Sequence, residues 1–278
     1  MSPHAFISLK ILSFVVFLIF YEFHFVSLIE VEEELRLTED EHNKLEMLKM
    51  RVGRIRAQDW LKTDLALLRW LRFSRLNVAA AETAFKDNLK WRKINKIDSI
   101  LREDWSYWER EYYFDCSATD YTGRPVCTGD MSTWDIRQAI VSGKGDELFR
   151  YMIKTIEDGY SRVRTAQAMG LNVTQSVTIL NMNNFNLVQH GCVQCVALFG
   201  RFITAHDKYY PYGTHKVIVI NAPRVFEVVL NIVKPLMSKD RRDAIFVFGT
   251  NEAEWKADLL SNIPENELTP NFGGTKII

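Results

Sequence analysis

Cysteine is scarce in this chain, with four in 278 residues, and neither charge is in surplus, with 35 Lys and Arg against 35 Asp and Glu. Four cysteines in a chain of this length do not make the disulfide framework that staples small secreted domains. Cys116, Cys127, Cys192 and Cys195 therefore read as reduced thiols of a cytosolic protein. The even charge removes the basic excess on which non-specific nucleic-acid binding depends, so nucleic acid is not an expected partner. Phosphate-cradling glycine loops are missing as well. No G-x-G-x-x-G occurs, and "SGKGDE" at 142–147 lacks both the earlier glycine and the following Ser or Thr of a P-loop. There is no G-x-S-x-G and no H-E-x-x-H. The histidines, His4, His24, His42, His190, His206 and His215, never stand at metal-ligand spacing with one another. His206 beside Asp207 would make an acid–base pair with no nucleophile to serve. An α/β enzyme should gather polar groups at the C-terminal ends of its strands, and no such set is visible. The expectation is a protein that is not an enzyme, with no catalytic residue, no metal and no cofactor.

Repeats and low-complexity linkers are also lacking. What is present is a globular composition, 47% hydrophobic and 12% aromatic, sufficient for a large core. The most apolar stretch is 6–29. Its clean run, 11–21, has the length of a signal-peptide core, and extension to spanning length takes in Glu22 and His24, which are costly at that depth. Three readings stand: a signal-anchor, an amphipathic or buried helix, or an alternative start on a cytosolic protein. The "NVT" at 172–174 is a glycosylation acceptor only in the secretory pathway. Beside a predicted core strand it reads as ordinary sequence.

An acidic "VEEEL" closes that segment. Thr38 followed three residues later by Glu41 is a capping box, which predicts a helix start. "DLALLRWLRFSRL" predicts a second helix. A third begins after Asn77, with Val78, Ala81, Phe85 and Leu89 on one stripe. From about 105 the pattern changes. Strands are predicted at 124–131, 175–183, 216–222 and 243–250. Helices fall between and after them, one carrying Leu148, Met152, Ile156, Tyr160 and Val163 on a stripe, another Cys192, Cys195, Val196, Phe199 and Phe202. Alternating Val- and Ile-rich strands and helices with short connections predict βαβ units and a mainly parallel sheet flanked by helices. The aromatic run "WSYWEREYYFD" reads as a packing seam. The C-x-x-C at Cys192–Cys195 falls on the apolar stripe and reads as buried.

One helix does not fit the pattern. From 225 to 237 nine of thirteen residues are apolar, and only Glu227 and Lys234 carry charge. A helix covering a sheet has one apolar stripe and one wet face. This one is apolar nearly all round, so its second face needs a partner, a membrane or an apolar cavity, or else burial by the rest of the domain. Pro223 should start it, and Pro235 should end or kink it near Lys234.

"LLRWLRFSRLNVAAAETAFKDNLKWRKINKID", "KYYPYGTHKVIVINAPRVFEVVLNIVKPLMSKDRRDAIFVFG" and "IPENELTPNFGGT" together resemble the CRAL-TRIO lipid-binding family, in the right order from about 35 to 275. The nearest branch is similar to the tocopherol-associated, supernatant-protein-factor group, without its further β-sandwich domain. The resemblance implies an organisation of 1–34 as an apolar segment, 35–104 as a helical unit and 105–278 as a lipid-binding domain. Its sheet would floor an apolar pocket, and the odd helix would be the gate, through Phe226, Val229, Leu230 and Val233. It implies a cytoplasmic, monomeric lipid carrier that meets membranes transiently and holds a phospholipid, phosphatidylinositol or a tocopherol-like molecule. Lys234 matches the lysine with which phosphatidylinositol-binding members hold the head group. Their Arg-Lys pair is Ser74-Arg75 here, and their glutamate after "YYP" is Tyr212. The family's Asp-x-x-Gly is Asn181 to Asn184, and Asn tolerates the left-handed backbone conformation. Strand alternation nominates Val126, Val177, Ile179, Val217, Val219, Phe246 and Phe248 as pocket lining, with core packing the plainer reading for each. A membrane-tethered lipid sensor or regulatory adaptor is the alternative, and a small-molecule enzyme on an α/β sheet is the third reading.

Overall fold

A computed structural model describes residue 34 and residues 36–277. The apolar stretch at 6–29, with its three readings, lies outside the described residues. Three helices come first: α1 (Glu39–Val52), α2 (Asp64–Phe73) and α3 (Val78–Ile94). The α1 capping box forms as the sequence predicts, with the Glu41 amide donating to the Thr38 hydroxyl and the Glu41 carboxylate accepting from the Thr38 amide. Asn77 caps α3 by accepting from the Ala80 amide at 3.0 Å. Leu45, Leu48, Leu67, Leu71, Ala81 and Phe85 give this unit a core of its own.

After α4 (Ser106–Glu111) come β1 (Phe114–Thr119) and β2 (Pro125–Asp130), then α5 (Ile136–Val141), α6 (Gly145–Ala168) and β3 (Ser176–Asn181). They are followed by α7 (Val193–Tyr209), β4 (Thr214–Ile220), α8 (Arg224–Val233), α9 (Lys239–Asp243), β5 (Ile245–Val247) and α10 (Glu252–Asn262). The strands lie in chain order, β1 to β5, with β1 antiparallel to β2 and the rest parallel. The aromatic run forms a cluster, with Trp105 and Trp108 about Tyr151 of α6 and Tyr112 against Trp134.

Strand β1 is not visible in the sequence, and its pairing changes the reading of the cysteines. Between Asp115↔Thr128 and Ala118↔Val126 two residues of β1 face one of β2, a bulge, and there Cys116 is disulfide-bonded to Cys127. Cys192 is likewise bonded to Cys195. The expectation of four reduced thiols is therefore corrected. Spacing along the chain does not reveal that a missing strand brings two distant cysteines side by side.

The sheet separates two cores. On one side Val126, Val177, Ile179, Ile218 and Ile220 pack against Trp255 and Leu259 of α10. On the other, Leu180, Val217, Val219 and Ile245 pack under α6, α7 and α8. Helix α6 meets water near its ends, at Asp146, Glu147, Arg162 and Thr165, and is buried continuously from Tyr151 to Glu157. Two of its buried residues are charged. Glu157 accepts from the Arg92 guanidinium at 2.8 Å and from the Tyr210 hydroxyl at 2.8 Å. Lys154 pairs with Glu109 at 2.6 Å and Asp158 at 2.8 Å. Burial opposes the Arg92 charge, but Glu157 outweighs it and holds the pKa above its ordinary value. Asn88 adds a bond to the Tyr209 carbonyl, Arg69 one to the Thr174 carbonyl, and Arg150 bonds to Glu103 and to the Asn95 carbonyl, so several contacts bolt the helical unit to the sheet unit. The threonine of the "NVT" is buried and bonded to Glu34.

Removing one partner of a buried ion pair leaves the other uncompensated and costs about 3 to 5 kcal/mol. Glu157→Ala should lose that much in urea unfolding followed by circular dichroism. A loss under about 1 kcal/mol would show that water reaches the pair.

Candidate functional site

Helix α8 is the element whose place the sequence leaves open. Pro223 lies one residue before it, as its N-cap, and the helix ends at Val233, where a tight turn over Lys234–Leu236 carries Pro235. Proline's fixed φ and missing N–H suit both positions. One face is seated: Phe226, Val229, Leu230 and Val233 are buried against Met182, Phe185, Leu198 and Val219. Phe226 meets the Phe185 ring edge-on at 5.4 Å. The opposite face is not covered. Val228, Ile232 and Leu236, at helical spacing, are 55%, 55% and 48% exposed. Leu187, Val188 and Val193, from the start of α7 and the loop before it, are exposed as well. The helix thus has an apolar stripe in the core and a second one on the surface.

Helix α7 is its bed. A Cβ on Gly191 would lie 3.3 Å from Val229, and one on Gly200 would lie 3.1 Å from Leu236. The two glycines therefore let α8 and the turn after it lie close along α7. Past the turn, Ser238 caps α9 and donates to Asp207 at 2.8 Å. Arg241 donates to Asp207 at 3.0 Å and to the His206 ring at 3.1 Å. Arginine has no acceptor to offer, so the imidazole nitrogen facing it must be unprotonated. Burial, and then the Arg241 charge, push the His206 pKa well below its ordinary value.

The sequence-nominated side chains are placed as follows. The four nominated on α8 share its seated face. Val217 and Val219 lie on the α8 side of the sheet. Val126, Val177, Ile179 and Phe248 belong to the core on the α10 side, and Phe246, level with Ile218, shares their parity. One cavity cannot be lined by both sets, because successive strand residues point to opposite faces. The register adds Leu180, level with Val219, to the α8 side. Ser74 ends α2, and Arg75 follows it with φ +52°. Tyr212, with φ +55°, precedes β4 and donates to Asp240 at 2.9 Å. Burial, and then that bond, raise its pKa. Lys234 is exposed at the foot of α8. No hydrogen bond or ion pair joins any two of these four among the described residues. Asn184 has φ +59°, as its replacement of a turn glycine predicts. Cys192 caps α7 rather than lying on its stripe, and it is half-buried.

Among the described residues no helix is long and apolar enough to cross a membrane, and no cluster of His, Cys, Asp and Glu could hold a metal ion. A cavity of about 100 Å³ opens at the seam with the helical unit, lined by Trp60, Asn88, Arg92 and Arg164 among others. A second, more open hollow of about 730 Å³ is lined by Trp105, Tyr113, Phe114, Lys154 and Arg162 among others.

A model of the CRAL/TRIO domain matches residues 110–274, more than half of the chain, and the chain belongs to that family. SEC14-like members of the family are lipid-binding and lipid-transfer proteins. The chain is 28% identical over 222 residues to the SEC14 cytosolic factor of Eremothecium gossypii, covering 76% of itself and 69% of that protein. It is 27% identical over 222 residues to the SEC14 cytosolic factor of Kluyveromyces lactis, covering 76% and 70%. The crystal structure of Sfh5 superposes with a TM-score of 0.66 at 14% identity, over 87% of this chain and 89% of that one, which shows the shared fold.

The His206 network gives a pH dependence with a definite sign. A base whose pKa is depressed by folding takes up its proton more readily when unfolded, so stability rises with pH between the folded and unfolded values. The denaturation midpoint should therefore fall as pH drops below the ordinary histidine value near 6.5. His215, lowered to about 4 by burial and then by Arg124, contributes in the same direction down to that pH. In His206→Gln, which keeps an acceptor and cannot charge, the slope should shrink. An unchanged slope would put the titration elsewhere.

Proposed function

We propose that this chain carries one hydrophobic ligand between membranes, with α8 as the gate, and performs no covalent chemistry. The carrying observation is the double-faced α8. Its inner face, Phe226, Val229, Leu230 and Val233, is seated on the core over the sheet, and its outer face presents Val228, Ile232 and Leu236 to the surroundings. Apolar stripes on both faces are costly for a helix that stays put and useful for one that moves between a core and a bilayer. Lifting a lipid into water exposes its tails at roughly 0.8 kcal/mol per CH₂. A carrier must replace that contact and then release it. Outward movement of α8 would expose Met182, Leu198, Val217 and Val219 to acyl chains while its outer stripe enters the membrane surface. Cytoplasmic residence agrees with the naming of the fungal relatives as cytosolic factors.

The head-group positions support an anionic or a neutral ligand unequally. Lys234, exposed at the gate's foot, can meet a phosphate as a compact point charge. Ser74 and Tyr212 stand where two charged contacts would be in phosphatidylinositol-binding relatives of this family. The Tyr212 hydroxyl is already engaged by Asp240. A hydroxylated ring in a dry site would leave unmet polar groups, so we favour a ligand with few head-group hydroxyls.

Native mass spectrometry with lipid extraction tests the first claim. A co-purifying lipid at near-stoichiometric amount supports a carrier, and a folded, empty protein that takes up no offered lipid sinks it. The gate claim is tested on the outer stripe, because a charge at buried Val229 would disturb the closed core itself. Val228→Glu with Ile232→Glu should leave the melting temperature unchanged and cut vesicle-to-vesicle transfer at least about tenfold, the factor that 1.4 kcal/mol supplies. Unimpaired transfer would remove α8 as the gate.

A further inference from the structure

The two disulfides differ in access. Cys116 and Cys127 are both buried within the β1–β2 pair. Cys192 is half-buried at the N-terminus of the seventeen-residue α7, beside Val193, which is 83% exposed, while Cys195 is fully buried in the core beneath α8. The first pair is sealed, and the second joins a half-buried cysteine to a fully buried one. The Cys192 sulfur also accepts the Cys195 amide at 3.1 Å, and the Cys195 sulfur lies 3.6 Å from the Gln189 carbonyl. Helix N-termini favour thiolates, the species that attacks disulfides.

What this pair holds is the edge of the gate's bed. Gly191, adjacent to Cys192, has Leu187 on one side and Val229 of α8 on the other, at 2.4 Å and 3.3 Å from where a Cβ would stand. Gln189 donates to Asp135, and its carbonyl accepts from the Arg137 amide, so the loop before α7 is tied to α5 as well. The covalent clip fixes the point at which this loop turns into α7, and that point is where Val229 is seated.

We propose that Cys192–Cys195 is a reversible thiol–disulfide site that sets how readily α8 leaves its seat. Two thiols and one glutathione disulfide give the intramolecular disulfide and two glutathione thiols. The Cys192 thiolate attacks the reagent sulfur and expels one glutathione thiolate. Cys195 then displaces the second and closes the ring. Two electrons pass from the protein to the reagent, and the two thiol protons go to the departing thiolates. The closed ring holds the bed rigid and keeps α8 seated. Reduction frees the turn and lets α8 open more often.

The transfer arm rests on the lipid-carrier reading, so a second measurement is independent of any lipid. The full chain is equilibrated with glutathione disulfide or with dithiothreitol, and the Cys192–Cys195 bond is located by peptide mass mapping. Amide hydrogen exchange over residues 224–233 is then compared, along with vesicle-to-vesicle transfer. The expected result is exchange and transfer each about threefold or more faster in the reduced form, reversed on reoxidation. Cys192→Ser should behave as permanently reduced and be indifferent to the reagent. Three outcomes overturn the proposal: the bond does not form under glutathione disulfide, exchange over α8 is the same in both states, or Cys192→Ser still responds. Slow transfer in every state with redox-dependent exchange would instead strike the carrier reading and leave the switch standing.

Discussion

A buried carboxylate, Glu157, helps tie the two halves of this protein together. It lies in the middle of α6, buried, and takes the guanidinium of Arg92 from the helical unit and the hydroxyl of Tyr210 from the segment leading into β4. Such an anion is tolerated in an apolar interior only if its lone pairs are filled. The consequence is positional. Tyr210 is fixed, and Tyr160 donates to its carbonyl at 3.0 Å. Gly213 must then be glycine, since a Cβ there would stand 1.7 Å from the Tyr160 hydroxyl. The register of β4 and the start of α8 follow from that anchorage.

From this fixed base the chain runs into its least committed part. Helix α8 has no buried ion pair, and its last turn is held at a distance, through Ser238, Asp207, His206 and Arg241. The anchor points of the two units are polar, and α8 is apolar on its contact faces. That division is physically sensible. Ion pairs fix geometry, whereas apolar contacts are non-directional and can be exchanged for other apolar contacts at small net cost.

Much of the fold was legible in the sequence because its signals are local. The Thr38–Glu41 capping box, the Asn77 cap and the period-3.6 stripes each need only a few neighbouring residues to be read. The parallel sheet followed from alternation. Strand β1 was missed because "FDCSAT", although it alternates apolar and polar residues, is short, contains no Val or Ile and is broken by a bulge, and with it went the Cys116–Cys127 pairing. The nominated strand residues fall on two faces of the sheet: Val217 and Val219 face α8, whereas Val126, Val177, Ile179 and Phe248 face α10. Alternation says which residues share a face within one strand, and only the register between strands says which face it is. The Glu157 anchor and the His206–Arg241 contact join residues 65 and 35 positions apart, and nothing in the linear pattern marks such pairs. The apolar surround of the 225–237 helix was legible, although its second face lies open rather than covered.

Two glycines along the bed, Gly191 just before α7 and Gly200 within it, impose a rule of registration. Gly191 receives Val229 and Gly200 receives Leu236, two notches spaced to match two teeth. A slip of α8 by a single turn would press a tooth against a ridge. For a gate that moves as proposed, these notches disfavour intermediate seatings, so the passage between home and away would be a snap rather than a glide.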